Sequence, residues 1–161
     1  MKPVYNRKYL TDSCFQEDGI CHICTTYHHY YNTFRGCSQP IFPHYLEKCQ
    51  VDYFDFYMFH NVCEVNIDAY LDEKYGVFEY LIEQKKNGRI KHLGFSAHGS
   101  LDVMKRFLEK YGKDMEFCQI QLNWLDWHFQ KANEKGDLLN SYNIPIWVME
   151  PLRGGSLVKL T

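Results

Sequence analysis

No stretch of this chain approaches the roughly 18 consecutive apolar residues that a membrane-spanning helix needs. Its start also lacks the charged-then-apolar pattern of a secretory leader. The expectation is a soluble, cytoplasmic protein without a membrane partner. An excess of charge of one sign is lacking too: 18 Lys and Arg stand against 20 Asp and Glu, a formal net charge of -2. That balance gives no reason to expect a polyanionic partner, so nucleic acid is not the ligand this composition suggests. There is no GxGxxG phosphate-binding sequence, and no run of closely spaced cysteines ending in Cys-Pro that would ligate an iron–sulfur cluster. Cysteine itself is not scarce. The chain has 7, an odd number standing among residues of ordinary core type, which argues for reduced thiols rather than a disulfide scaffold.

The composition changes near residue 45. Residues 1–44 are rich in Tyr, His and Cys, close with Pro40 and Pro43, and sustain neither a helical nor an alternating period. They form a poorly defined N-terminal segment ahead of a regular region, 45–161. Within that segment Cys21-His-Ile-Cys24 is a CxxC pair, with His28, His29 and Cys37 nearby. Such soft ligands could form a zinc-binding module, although the spacing fits no finger pattern closely. The alternative is a set of reduced, partly buried cysteines, and no residue is assigned to a metal.

From residue 45 the signals are regular. Tyr45–Cys49 reads as the end of a helix, and Tyr53–His60 as a strand apolar on both faces apart from Asp55, which is the mark of a strand covered on each side. A helix over Tyr75–Lys86 follows, with Val77, Leu81 and Gln84 on one face and Phe78 and Ile82 beside them, stopped by Asn87-Gly88. Ile90–Ser96 is the second strand. Ser100 caps a helix whose Leu101, Met104, Leu108 and Tyr111 share a face and which stops at Gly112. Phe117–Leu122 is the third strand. A helix around Ala132–Tyr142 leads to the fourth, Ile144–Met149, which runs into Pro151-Leu-Arg-Gly-Gly155.

Strands alternating with helices at roughly 25 to 35 residue intervals predict right-handed crossovers and a parallel sheet. A doubly wound sheet would carry its glycines in the first strand-to-helix turn, whereas a β/α barrel spreads functional residues over many strand ends. The second pattern fits His60, Ser96, Gln119 or Asn123, and Arg153, each at or near a successive strand end. A complete barrel takes eight such units and about 250 residues. The fold class expected is therefore α/β, a partial TIM (β/α)8 barrel of about four parallel strands with intervening helices.

The motifs Asp52-Tyr-Phe-Asp-Phe-Tyr-Met-Phe-His60, Lys86-Asn-Gly-Arg-Ile-Lys-His-Leu-Gly-Phe-Ser96, Gln119-Ile-Gln121 and Met149-Glu-Pro-Leu-Arg-Gly-Gly155, in that order and spacing, resemble the aldo-keto reductases. Gly94-Phe-Ser-Ala-His-Gly99 and Glu150–Gly155 are similar to the bacterial branch whose members carry a C-terminal ferredoxin-like iron–sulfur segment. The resemblance covers about residues 45 to 161 and strands four to seven of the family's TIM barrel. It implies reduction of a small-molecule carbonyl by hydride from NADPH or NADH. It makes His60 the active-site histidine that orients and polarises the carbonyl. Ser96 and Gln119 would hold the nicotinamide carboxamide, Met149 would pack on the nicotinamide ring, and Leu152, Arg153, Gly154 and Gly155 would approach the pyrophosphate.

Two positions depart from the family: Ala97 replaces a common asparagine, with His98 as the substitute polar contact, and Met149 replaces a stacking tyrosine. The family's proton-donating tyrosine, with its lysine and aspartate, comes from the first three strands. No stretch of residues 1–44 matches them, and Tyr27, Tyr30 and Tyr31 are not assigned that role. The chain thus reads as a fragment with the histidine and the cofactor side of the site. The alternative is a non-catalytic, barrel-derived binding protein, and in either case exposed strand edges would favour self-association.

Overall fold

Phe54–Val62, the longest strand among the described residues, lies inside a parallel sheet with five described strands, whose order simply follows the sequence. The computed structural model describes residues 23–25 and 38–159. Its strands are β1 (Ile23–Thr25), β2 (Phe54–Val62), β3 (Ile90–Ala97), β4 (Cys118–Gln121) and β5 (Ile146–Met149), each paired in parallel with the next. The four strands expected from the sequence are β2 to β5. The fifth, β1, comes from the N-terminal segment, and at three residues it is too short to show a period.

The helices are α1 (Ser38–Cys49), α2 (Ile67–Leu71), α3 (Val77–Lys86), α4 (Leu101–Tyr111), α5 (Asp126–Phe129) and α6 (Ala132–Ser141). A doubly wound sheet reverses its strand order at a switch point. Here the order never reverses, and the helices pack side by side, α1 against α3, α2 against α4, and α4 against α6. That is the wall of a barrel, with helices outside.

Local chemistry explains several of the element ends. Ser100 Oγ accepts from the Val103 N–H at the start of α4. Gly88, with φ 74°, supplies the left-handed turn that follows α3, and Lys85 and Lys86 occupy the end of that helix where its dipole favours cations. Gly112 ends α4 differently from the usual glycine stop. Its φ is -57°, an ordinary helical value, and a Cβ there would stand 2.8 Å from the Tyr142 ring, which packs directly on the glycine. Here the glycine answers to close packing rather than to backbone conformation.

The two faces of the sheet bury different things. Toward the helices, Tyr57, Phe59, Leu93, Phe95 and Ile120 pack with Leu81, Met104, Phe107, Leu108 and Tyr111. Phe59 meets Phe107 edge-on at 5.3 Å between ring centroids, and Phe78 stacks on Tyr111 at 4.2 Å. On the other face, near the strand starts, Phe56 stacks on His92 (4.9 Å), Phe117 stacks on Trp147 (4.4 Å), and Phe56 touches Trp147 (4.7 Å). These rings form a floor. The same face turns polar toward the strand ends, where His60, Ser96, Gln119, Gln121 and Met149 follow at alternate positions.

Candidate active site

His60 stands near the end of β2, where the strand is irregular. The pairing of β2 with β3 shifts register between Phe59 and Val62, and Asn61 takes a left-handed φ of 55°. β2 therefore runs two residues beyond the His60 that the sequence suggested as its end. Three contacts fix this bulge. The Asn61 N–H donates to Ser96 Oγ (2.8 Å), the Asn66 amide donates to the Asn61 carbonyl (2.7 Å), and the Tyr70 hydroxyl donates to the His60 carbonyl (2.8 Å). Tyr70 is held in turn, since the Tyr111 hydroxyl donates to its carbonyl (3.0 Å). The histidine is thus braced by α2 and α4.

Ser96 is at the end of β3, fully enclosed at 0% exposure, and Gln119 is its direct partner across the β3–β4 pair. On its other side Gln119 pairs with Trp147, and two residues further on Gln121 pairs with Met149. His60, Ser96, Gln119 and Met149 therefore stand on four adjacent strands and on one face, with Gln119 level with Ser96 and Met149 one step further along. His98 extends beyond β3, its ring 6.2 Å from that of His60. Partial burial, and then the Lys135 charge, hold the His98 imidazole below its ordinary pKa. Lys135 itself is buried in α6, and its ammonium is pushed down by that burial against the pull of Glu64, Cys118 and Asp126.

Past β5 the chain makes a tight turn. Glu150 and Arg153 have left-handed φ values of 55° and 47°, and Gly154 and Gly155 follow at 62° and 88°. Leu152 is exposed, and nothing lies within 4 Å of where a Cβ on Gly154 or Gly155 would stand. The turn hangs from the loop after β4, because the Asn123 amide donates both to the Glu150 carbonyl (3.0 Å) and to Asp126 Oδ2 (2.6 Å). Asp126, Gln121, Asn66 and Tyr70 complete the site's framework; Gln121 stood in the Gln119-Ile-Gln121 motif without a role, and no sequence pattern pointed to the other three. Only Asn123-x-x-Asp126, an amide three residues before a carboxylate, was there to be noticed.

The family model of the aldo/keto reductases matches residues 28–161. The chain belongs to that family. The match begins inside the N-terminal segment that sequence patterning left unassigned. Among solved aldo/keto reductases, the fold is similar to that of the enzyme from Brucella melitensis, with a TM-score of 0.64 and 21% identity over 83% of this chain and 47% of that one. It is also similar to the holo form of an aldo/keto reductase from Bacillus halodurans, with a TM-score of 0.58 and 24% identity over 73% of this chain and 36% of that one. An aldo/keto reductase from Klebsiella pneumoniae in complex with NADPH aligns with a TM-score of 0.60 and 15% identity, over 85% of this chain and 45% of that one. At these identities the likeness is one of fold, and this chain covers less than half the length of each. No curated protein matches it in sequence.

The aldo/keto reductase barrel accounts for the sequential parallel strands and their outer layer of helices, as the sequence led us to expect. Among the described residues no group of three or more His, Cys, Asp or Glu could hold a metal ion. Cys21, His28, His29 and Cys37 lie outside the described residues, as do Tyr27, Tyr30 and Tyr31, and Cys24 is described only as strand backbone. Among the described residues Cys49, Cys63 and Cys118 are not joined in disulfides. No helix among the described residues is long and apolar enough to cross a membrane.

Proposed function

We propose that this chain forms the cofactor side of a carbonyl-reducing site, binding NADPH or NADH with His60 beside the substrate carbonyl. One observation carries the reading: His60, Ser96 and Met149 stand toward the C-terminal ends of β2, β3 and β5, the end at which β/α barrels place their chemistry, and Gln119 on β4 lies level with Ser96 on the same face. The donor set fits a nicotinamide carboxamide, which presents one acceptor and two donors. Gln119 brings an amide with both capacities. Ser96 stands directly opposite, its oxygen accepting from Asn61 and its own proton left to donate toward Gln119 or the ligand. Met149 offers a polarizable thioether to a ring face. The turn Leu152–Gly155 combines an arginine with two glycines around open space, a combination suited to a pyrophosphate.

The cofactor, when bound, supplies a hydride. His60 donates a hydrogen bond to the oxygen on which negative charge develops, and the braces from Tyr70 and Asn66 keep that donor from reorganising during the reaction. The tyrosine, lysine and aspartate that the family uses for proton delivery have no recognised counterpart here. General acid catalysis is worth about 100- to 10,000-fold, so the chain by itself should bind the cofactor while turning over slowly. Solved relatives bound to NADPH favour that nucleotide as the first to try.

The test is a tryptophan-fluorescence titration, with Trp147 on the sheet face beside Gln119 as internal reporter. NADPH should quench the emission saturably, and a flat titration with both NADPH and NADH would remove the cofactor reading.

A further inference from the structure

Asp126 is the only fully buried carboxylate among the described residues, with 0% exposure. A carboxylate taken from water must be repaid in hydrogen bonds or opposite charge. Its Oδ2 accepts from the amides of Asn123 (2.6 Å) and Gln121 (3.0 Å). Its Oδ1 accepts no hydrogen bond and faces the Arg153 guanidinium, whose Nη2 is 4.0 Å away, across the gap between the loops after β4 and β5. That is beyond direct bonding, yet close enough for the charges to orient one another. Arg153 keeps 34% of its side chain exposed, so it is held from within and open from outside.

Asn123 ties this carboxylate to the backbone of the turn. Its amide nitrogen reaches both Asp126 and the Glu150 carbonyl, while its oxygen accepts from the N–H groups of Leu125 (3.0 Å) and Asp126 (2.9 Å). The turn that it holds contains Glu150 and Arg153 in a left-handed conformation that side-chain-bearing residues seldom adopt, and such a turn persists only when its surroundings over-determine it.

We propose that Asp126 is the positioning residue of the Arg153 turn. Its free oxygen orients the guanidinium toward the barrel mouth, and through Asn123 it fixes the backbone from which that arginine springs. A ligand phosphate then meets a cation already in place, with little ordering left to do on binding. This inference rests on the reading of Leu152–Gly155 as a pyrophosphate-binding turn.

The test is a double-mutant cycle on NADPH affinity, measured by calorimetry on the full chain with a melting curve for every variant. D126N and R153Q should each weaken binding about ten-fold, and the double variant should be no more than about twenty-fold weaker than the wild type, because the two changes remove one function. If Asp126 were only a structural residue, D126N would cost the same factor in both backgrounds and the double variant would fall about a hundred-fold; that outcome, or no effect of D126N in the wild-type background, overturns the proposal. Should D126N fail to fold, N123S, which cuts the link between carboxylate and turn, enters the same cycle with the same expectation. Additivity with R153Q would overturn it equally. A wild-type protein that does not bind NADPH overturns the cofactor reading and this inference together, whereas wild-type binding with additive variants overturns this inference alone.

Discussion

At Gly94 the space for a side chain is already taken. A Cβ there would collide with the Phe117 carbonyl oxygen and stand 2.7 Å from two carbons of the Phe117 ring. The ring has rotamers to turn to, but the carbonyl accepts from the Phe95 N–H (3.2 Å) and is part of the sheet. Gly94→Ala should therefore lower stability by about 1–3 kcal/mol, the usual cost of overpacking, read as a lower urea midpoint with an unchanged slope. A midpoint within error of the wild type would mean that β3 and β4 can separate at no cost. Gly94 belonged to a motif carried by resemblance alone, and contact with the floor aromatics supplies its physical reason. Ser96 is similar, since what the sequence offered as a ligand contact is also the brace that holds Asn61 in its left-handed bulge.

Helix and strand ends set most of the geometry at the next scale, and Glu116 shows how they are joined. Its carboxylate, just before β4, bonds to Lys85 at the end of α3 and to His92 Nδ1 in β3 (2.6 Å). Burial pushes this carboxyl up, but the hydrogen bonds from Lys85 and His92 outweigh burial and hold it below its ordinary value of 4.5. A carboxyl lowered by folding stabilises the fold fully above 4.5, and that contribution disappears as the pH falls through the lowered value. Glu116→Gln should therefore reduce the urea midpoint at about pH 7 and make progressively less difference toward about pH 3. A difference that stayed constant with pH would show that the charge is not what joins these elements. The element ends marked by Ser100 and Gly88 were legible because caps and left-handed glycines act within a few residues. The short helices α2 and α5 were not, because a single turn of helix carries too little periodicity.

The whole molecule presents a parallel sheet with two edges among its described residues, β1 and β5. On β5, Val148 is 47% exposed. An apolar parallel edge of this kind invites pairing with another strand, so we expect the protein to self-associate in solution. Light scattering should give a mass above the 19.3 kDa of one chain, and Val148→Lys should shift it toward that value. A wild-type mass of one chain at high concentration would dismiss the idea.

By itself the sequence determined the alternation of strands and helices, the barrel class, and the candidate residues His60, Ser96, Gln119, Met149 and Arg153. Each of those readings depends on periodicity, end signals or motifs that lie within a dozen residues. Tertiary structure alone decided that Ser96 and Gln119 face each other, that the aromatic rings of four strand starts form the floor, and that Asp126 and Asn123 join the two loops behind Arg153. The physical reason is separation along the chain. A cross-strand register or a buried carboxylate's partners are fixed by how distant segments pack, and no local pattern in the sequence records that choice.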